Sequence, residues 1–135
     1  MTKRKTKRVV VVGSRSFPIS PEIGAEIVNI LRGYPDGTVF LTRGSPGFDT
    51  FLMAVCPIIG YTALAYPSKG GADNFLRDVQ LAKDADEGLV FLDPDSLGNI
   101  NTGTAHVMEK LLDQKKKTKA YSVAGRTLVY AGSND

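Results

Sequence analysis

Two serines and an arginine follow directly on a run of four valines near the start of the chain. Residues 9–12 are all β-branched, which is typical of a strand buried on both faces in a parallel sheet. Gly13 then permits a sharp turn and a close approach of the backbone to a ligand. Hydroxyl and guanidinium groups donate strong hydrogen bonds to anions. Because ligands bind beyond the carboxyl ends of strands in open α/β sheets, we expect Ser14, Arg15 and Ser16 to contact an anionic ligand.

Two further glycine-containing segments lead into predicted helices, at residues 43–47 and 101–104. The free N–H groups and the positive dipole end of a helix N-terminus suit a phosphate. Any one glycine is explained most simply as a turn residue, but two such helix starts beside the 14–16 loop favour phosphate binding. The binding residues predicted from these segments are Arg43, Gly44, Ser45, Gly47, Thr102, Gly103 and Thr104.

The remaining chain must hold these loops at one edge of a sheet. Apolar periodicity and turn residues predict strands at 8–13, 38–42, 60–66, 88–92 and 119–124, and a possible edge strand at 126–131. Helices are predicted from Pro21 to before Gly33, from about Gly47 to before Pro57, at 72–83 and at 104–114. The inward-facing side chains of the last two helices are predicted to be Phe75, Val79 and Ala82, and Met108, Leu111 and Leu112. This alternation predicts an α/β fold: a Rossmann-like, doubly wound, mostly parallel sheet of about five strands with helices on both faces.

Length and charge predict one domain at 8–135 behind a flexible basic segment at 1–7. The net charge of +3 reflects lysines and arginines in that segment and near residue 116. A basic tail of this kind is a weak alternative site for nucleic acid, although a solvated tail is favoured. The single cysteine, Cys56, fits a reducing compartment, and no apolar run is long enough to span a bilayer. We therefore expect a cytoplasmic protein without a membrane partner.

Several familiar motifs are absent. No GxGxxG follows the first strand, and there is neither a GxxxxGK[ST] phosphate loop nor a GxSxG elbow. His106 is the only histidine, and no second cysteine accompanies it, which argues against a transition-metal site. We expect neither a metal nor a cofactor.

Four short motifs occur in order along the chain: GSRSF from Gly13, GSPGFD from Gly44, RDVQLAKDAD from Arg77 and GTAH from Gly103. Together they resemble the SLOG superfamily (the SMF/DprA and LOG group), nearest to its YspA and YpsA-related branch, over about residues 8–124. The resemblance implies a Rossmann-like fold and a nucleotide or nucleotide-derived ligand. It also implies that Asp49, Arg77, Asp78 and His106 lie at the ligand.

The chain departs from the family pattern at four positions. Arg43 stands where that branch has a glycine, and Pro46 stands where it has an arginine. Asp78 replaces an asparagine, and an acid beside a phosphate would repel it unless an arginine pairs with that acid. Val107 replaces the glutamate of the LOG enzymes, which cleave the N-glycosidic bond of nucleoside monophosphates.

Several of these side chains have a structural alternative to a ligand contact. Phe17 could stack on a base or pack its own loop, and Asp49 could contact the ligand or cap its helix. Arg77 could line the cleft or form a surface ion pair, and His106 could be a partly exposed polar residue. The candidate catalytic groups are Asp78, His106 and Asp49.

Two classes of function stay open. The first is a binding module that acts as a sensor, carrier or sequestering protein for a nucleotide or an ADP-ribose-like molecule. The alternative is an enzyme that cleaves or transfers an N-glycosidic bond of a nucleoside monophosphate, which the valine at 107 disfavours. The resemblance further implies a homo-oligomer. In this sequence the third helix could supply the interface, through Leu76, Val79, Gln80 and Lys83.

Overall fold

The computed structural model describes residues 6–93 and 103–134. Its strands are β1 (Arg8–Gly13), β2 (Val39–Thr42), β3 (Thr62–Ala65), β4 (Glu87–Phe91), β5 (Lys117–Ala124) and β6 (Thr127–Ser133). Its helices are α1 (Pro21–Arg32), α2 (Phe48–Ile58), α3 (Ala72–Asp84) and α4 (Gly103–Asp113).

The six strands form one sheet in the order β3-β2-β1-β4-β5-β6. All neighbours are parallel except β5 and β6, which are antiparallel and joined by a turn at Gly125. The predicted doubly wound α/β fold and its edge strand are therefore confirmed. From β1 the chain continues to β2 on one side, whereas from β4 it continues to β5 on the opposite side. The switch point at which such sheets bind ligands therefore lies between β1 and β4.

The valine run of β1 is the centre of both halves of the core. Val9 and Val11 pack with residues of α1 and α2, whereas Val10 and Val12 pack with residues of α3 and α4. All four valines are completely buried, as a central strand covered on both faces requires. The helices thus form one pair on each face of the sheet.

The start of α1 follows from its sequence. Ser20 is the N-cap, with its hydroxyl oxygen accepting the N–H of Ile23 at 3.2 Å, and Pro21 takes the first helical position. Cys56 of α2 is a free, buried thiol, and burial raises its pKa to about 11.

Most element boundaries lie within one or two residues of the sequence prediction, and the following differences are the most informative. Helix α2 includes Pro57 and ends at Ile58, because a proline in the last turn removes only one hydrogen bond of a helix that is already ending. Strand β3 is shorter than the predicted 60–66, and β5 begins two residues earlier, at Lys117. The backbone oxygen of Lys7, in the segment predicted to be loose, accepts the N–H of Val39 at 2.9 Å.

Two side chains predicted to face inward are exposed, so those assignments were wrong. Phe75 is half exposed because its ring lies against the imidazole of His106 rather than the sheet. Leu112 is also exposed, because α4 turns Val107 and Leu111 towards the core and Leu112 lies about 100° further round the helix. In α3 the buried residues are Asp78, Leu81 and Ala82.

Candidate functional site

A buried ion pair between Arg43 and Asp49 joins the ends of β1 and β2 to the start of α2. The Arg43 Nε lies 3.1 Å from Asp49 Oδ2, and the Arg43 Nη2 donates to the carbonyl of Gly13 at 2.6 Å. The Asp49 carboxylate also accepts the N–H groups of Gly13 and Ser45, both at 3.3 Å. Asp49 is fully buried, so it holds the segments that carry Gly13, Arg43 and Ser45 together and does not contact a ligand.

Two of the predicted binding glycines serve packing. A Cβ on Gly13 would lie 2.2 Å from the Phe48 ring, and a Cβ on Gly47 would lie 2.3 Å from the carbonyl oxygen of Arg15. Gly47 also has a φ of 87°, which favours glycine. These residues allow α2 to approach β1 closely and fix the position of the Arg15 loop.

Phe17 lies in the core. Its ring makes edge-to-face contacts with Phe48 and Phe91, at centroid distances of 5.6 and 5.7 Å. Phe17 therefore packs its own loop against the core and is not available to stack on a base.

Asp93, which sequence reasoning missed, orders the loop after β1. Its backbone N–H donates to the Ser14 hydroxyl at 3.4 Å, and its carboxylate accepts a hydrogen bond from the Ser16 hydroxyl. Asp93 directly follows the apolar run of β4, the neighbour of β1, and an acid at that position was the available signal.

The remaining predicted loops surround a cleft of about 840 Å³ at the carboxyl edge of the sheet. We call this site the cleft hereafter. Its lining comes from the segments after β1, β2 and β3, from the first two turns of α3 and from the first turn of α4. Its residues are Ser14, Arg15, Ser16, Arg43, Gly44, Ser45, Pro67, Ser68, Lys69, Gly70, Asn74, Arg77, Asp78, Gly103 and Thr104. Thr102 lies outside the described residues.

The segment from Pro67 to Gly70, together with Asn74, was missing from the predicted binding residues. It follows the short strand β3 and carries two adjacent glycines with positive φ, Gly70 and Gly71. Lys69 extends the basic lining of the cleft from this segment, and its N–H donates to the Asp73 carboxylate at 2.9 Å.

The basic side chains of the cleft differ in their partners. Arg43 is paired with the buried Asp49 and Arg77 with Asp78, so the excess positive charge of the described lining comes from Arg15 and Lys69. Arg43 Nη1 lies 2.7 Å from the point that a Cβ on Gly103 would occupy, so the guanidinium directly faces the first residue of α4. A helix N-terminus carries partial positive charge, and a cation beside it is unfavourable unless an anion lies between the two.

The Asp78 carboxylate is shared between two cationic or hydrogen-bonding side chains. Its Oδ1 lies 3.1 Å from Arg77 Nε, and its Oδ2 lies 2.7 Å from His106 Nδ1. Asp78 is 2% exposed, and the His106 ring packs against Phe75 at a centroid distance of 4.9 Å. An acid at position 78 would repel a phosphate, and its pairing with Arg77 reduces this repulsion, as expected from the sequence.

A smaller, more apolar hollow of about 340 Å³ adjoins the cleft and shares Pro67 and Arg77 with it. Tyr66 and Leu76 contribute to its lining. Burial and a 2.6 Å hydrogen bond to Asp84 raise the pKa of Tyr66 to about 12, so its hydroxyl stays neutral at physiological pH.

Over residues 6–93 and 103–134, no group of three or more histidine, cysteine, aspartate or glutamate side chains is arranged to hold a metal ion. Within the same ranges, no helix is both long and apolar enough to cross a membrane. Comparisons with protein-family models, with curated proteins and with solved structures gave no match.

Proposed function

We propose that this chain binds a nucleotide or a nucleotide derivative such as ADP-ribose in the cleft, and acts as a sensor, carrier or sequestering module. The observation that carries the proposal is that Arg15 and Lys69 line the same cleft as the N-terminus of α4, beside the Arg43–Asp49 and Arg77–Asp78 pairs. Such an arrangement is suited to a phosphate group.

The dimensions and polarity of the surface support a ligand larger than a free phosphate. A cleft of about 840 Å³ falls in the size range of small-molecule sites. The adjoining hollow offers an apolar surface beside Pro67 and Tyr66 on which a base could pack. A polar cleft next to an apolar hollow matches the two ends of a nucleotide.

Binding is favoured over cleavage of the N-glycosidic bond. That reaction needs a carboxylate near the sugar, and the side chain at position 107 is a valine that is completely buried in the core. The Asp49 carboxylate is equally buried, and both oxygens of Asp78 are engaged. Incubation with AMP should therefore release no free base, whereas turnover on the order of 1–10³ per second would establish the enzyme alternative.

A thermal-shift panel tests the proposal. AMP, ADP and ADP-ribose should each be compared with adenosine, which has the same base and sugar but no phosphate. A ligand present at 100 times its Kd should add about 2.7 kcal/mol to the free energy of unfolding. Stabilisation by the phosphorylated compounds and not by adenosine is the expected result, and no stabilisation by any of them would remove the basis of the proposal.

We also propose that the chain is a cytoplasmic homo-oligomer. The outer face of α3 exposes Leu76, which is 62% accessible, beside Gln80 and Lys83. Light scattering at micromolar concentration should give at least twice the monomer mass, and a monomer mass would contradict this proposal.

A further inference from the structure

We infer that His106 is a positioning residue for the cleft: through Asp78 it holds Arg77 in place, and its protonation sets how tightly the cleft binds an anion. The inference rests on the proposed function, because it concerns the same cleft. His106 does not itself line the cleft, so it acts through its neighbours.

The contacts determine which nitrogen of His106 titrates. Asp78 pairs with Arg77 as an ionised carboxylate, and an ionised carboxylate can only accept hydrogen bonds. The 2.7 Å contact between Asp78 Oδ2 and His106 Nδ1 therefore requires a proton on Nδ1. In neutral His106 the unprotonated nitrogen is Nε2, and this atom gains a proton when the ring becomes charged.

The charged groups around the imidazole are few among the described residues. From α3 come Asp78 and Arg77, together with the uncharged ring of Phe75. From α4 comes Lys110, whose Nζ lies 5.1 Å from the centre of the Phe75 ring and pairs with the carboxylates of Glu109 and Asp113 at 3.5 and 3.7 Å. Arg15, Arg43 and Lys69 complete the charges of the cleft.

The protonation state of His106 changes the net charge at the wall of the cleft. When His106 is neutral, Asp78 and Arg77 cancel and contribute no net charge to the cleft. When His106 is protonated, the same three residues carry one positive charge, and Asp78 competes less with a bound anion for Arg77. Anion binding should therefore strengthen as the pH falls through the titration of His106. By linkage, a bound anion must favour the protonated form of His106 by the same factor.

The sequence makes this effect measurable. His106 is the only histidine in the chain, so no other side chain has an ordinary pKa between about 5 and about 8. Its Hε1 proton can be followed by NMR without interference from another histidine. Sulfate is the appropriate probe, because it keeps its double negative charge over this range whereas phosphate does not.

The test measures the Kd of sulfate from about pH 5.5 to about pH 8.5, with three versions of the chain. For the natural sequence the Kd should rise by at least about fivefold, the lower end of typical coupling between sites. His106→Asn keeps an N–H donor near the position of Nδ1 but does not titrate, so its Kd should be constant. Glu109→Gln removes a charge from an exposed side chain of the same helix and should retain the full pH dependence.

An NMR titration of His106 in the natural sequence, with and without saturating sulfate, checks the inference even where the His106→Asn variant fails to fold. Sulfate should raise the pKa of His106 by the logarithm of the Kd ratio. An unchanged pKa, or a Kd that is constant with pH while sulfate still binds, would overturn this inference and leave the proposed function standing. Failure of sulfate and nucleotides alike to bind at any pH would overturn both.

Discussion

At the scale of single residues, Asp49 determines the geometry of the cleft without lining it. Its carboxylate is completely buried and is the counter-charge of the Arg43 guanidinium. Asp49→Ala should lower the free energy of unfolding by about 3–5 kcal/mol, because it leaves a buried charge unpaired. Urea denaturation measures the loss, and Asp36→Ala in the exposed turn after α1 is the matched control. A decrease in the free energy of unfolding of less than about 1 kcal/mol would show that the Arg43–Asp49 pair contributes little to stability.

Arg15 is an exposed arginine of the cleft, whereas Arg43 is buried. Its side chain carries little of the core, so Arg15→Ala should leave the fold intact. It should weaken the binding of AMP by roughly 1.5–3 kcal/mol, the scale for a hydrogen bond to a charged group. Isothermal titration calorimetry gives the affinity, and Arg126→Ala in the β5–β6 turn should change nothing. Equal affinities for the Arg15 and Arg126 variants would remove Arg15 from the site.

At the scale of elements, the start of α2 can lie against the loop after β1 only because Gly47 has no side chain. Gly47 and Gly37 have nearly the same positive φ, 87° and 86°, but a Cβ on Gly37 would meet nothing within 4 Å. Gly37→Ala should therefore cost only the backbone term of about 1–2 kcal/mol. Gly47→Ala should cost about 1–3 kcal/mol more, because its Cβ would overlap the Arg15 carbonyl.

Thermal or urea denaturation of the two glycine variants compares these costs directly. The Gly47 variant should also bind AMP more weakly, since the clash displaces the loop that carries Arg15. Equal destabilisation of the two variants would mean that the close approach of α2 to the Arg15 loop is not required.

The elements themselves could be predicted from local sequence. The valine run, the Ser20-Pro21 start and the glycine turns each act on near neighbours, and the predicted bounds of β1 and α1 agree with the structure. The sequence predicted the inward faces of α3 and α4 less reliably than these bounds. Phe75 and Leu112 both fit the helical period of apolar residues. In α3, however, the contact between Asp78 and His106 decides which side turns inward, and in α4 the packing of Val107 decides it.

At the scale of the whole molecule, the strand order brings the loops together. Because the neighbouring strands β1, β2 and β3 are parallel, the segments after them reach the same edge of the sheet, and α4 begins beside them. The α/β pattern predicted this convergence. It did not predict which residues would be buried, because the contact between Gly13 and Asp49 spans 36 positions and that between Asp78 and His106 spans 28. Asp93 was missed for the same reason, since its contacts with Ser14 and Ser16 span 79 and 77 positions.

The central claim is that a phosphate-bearing ligand occupies the cleft formed by these loops. Titration of isotopically labelled chain with AMP, followed by backbone amide NMR, tests it most directly. On titration with AMP we expect shifts that fit one Kd in the amide signals of Ser14, Arg15, Gly44, Gly103 and Thr104. Adenosine should leave these signals nearly unchanged. Shifts confined to another surface, such as the β5–β6 edge, or no shifts at millimolar AMP, would contradict the claim.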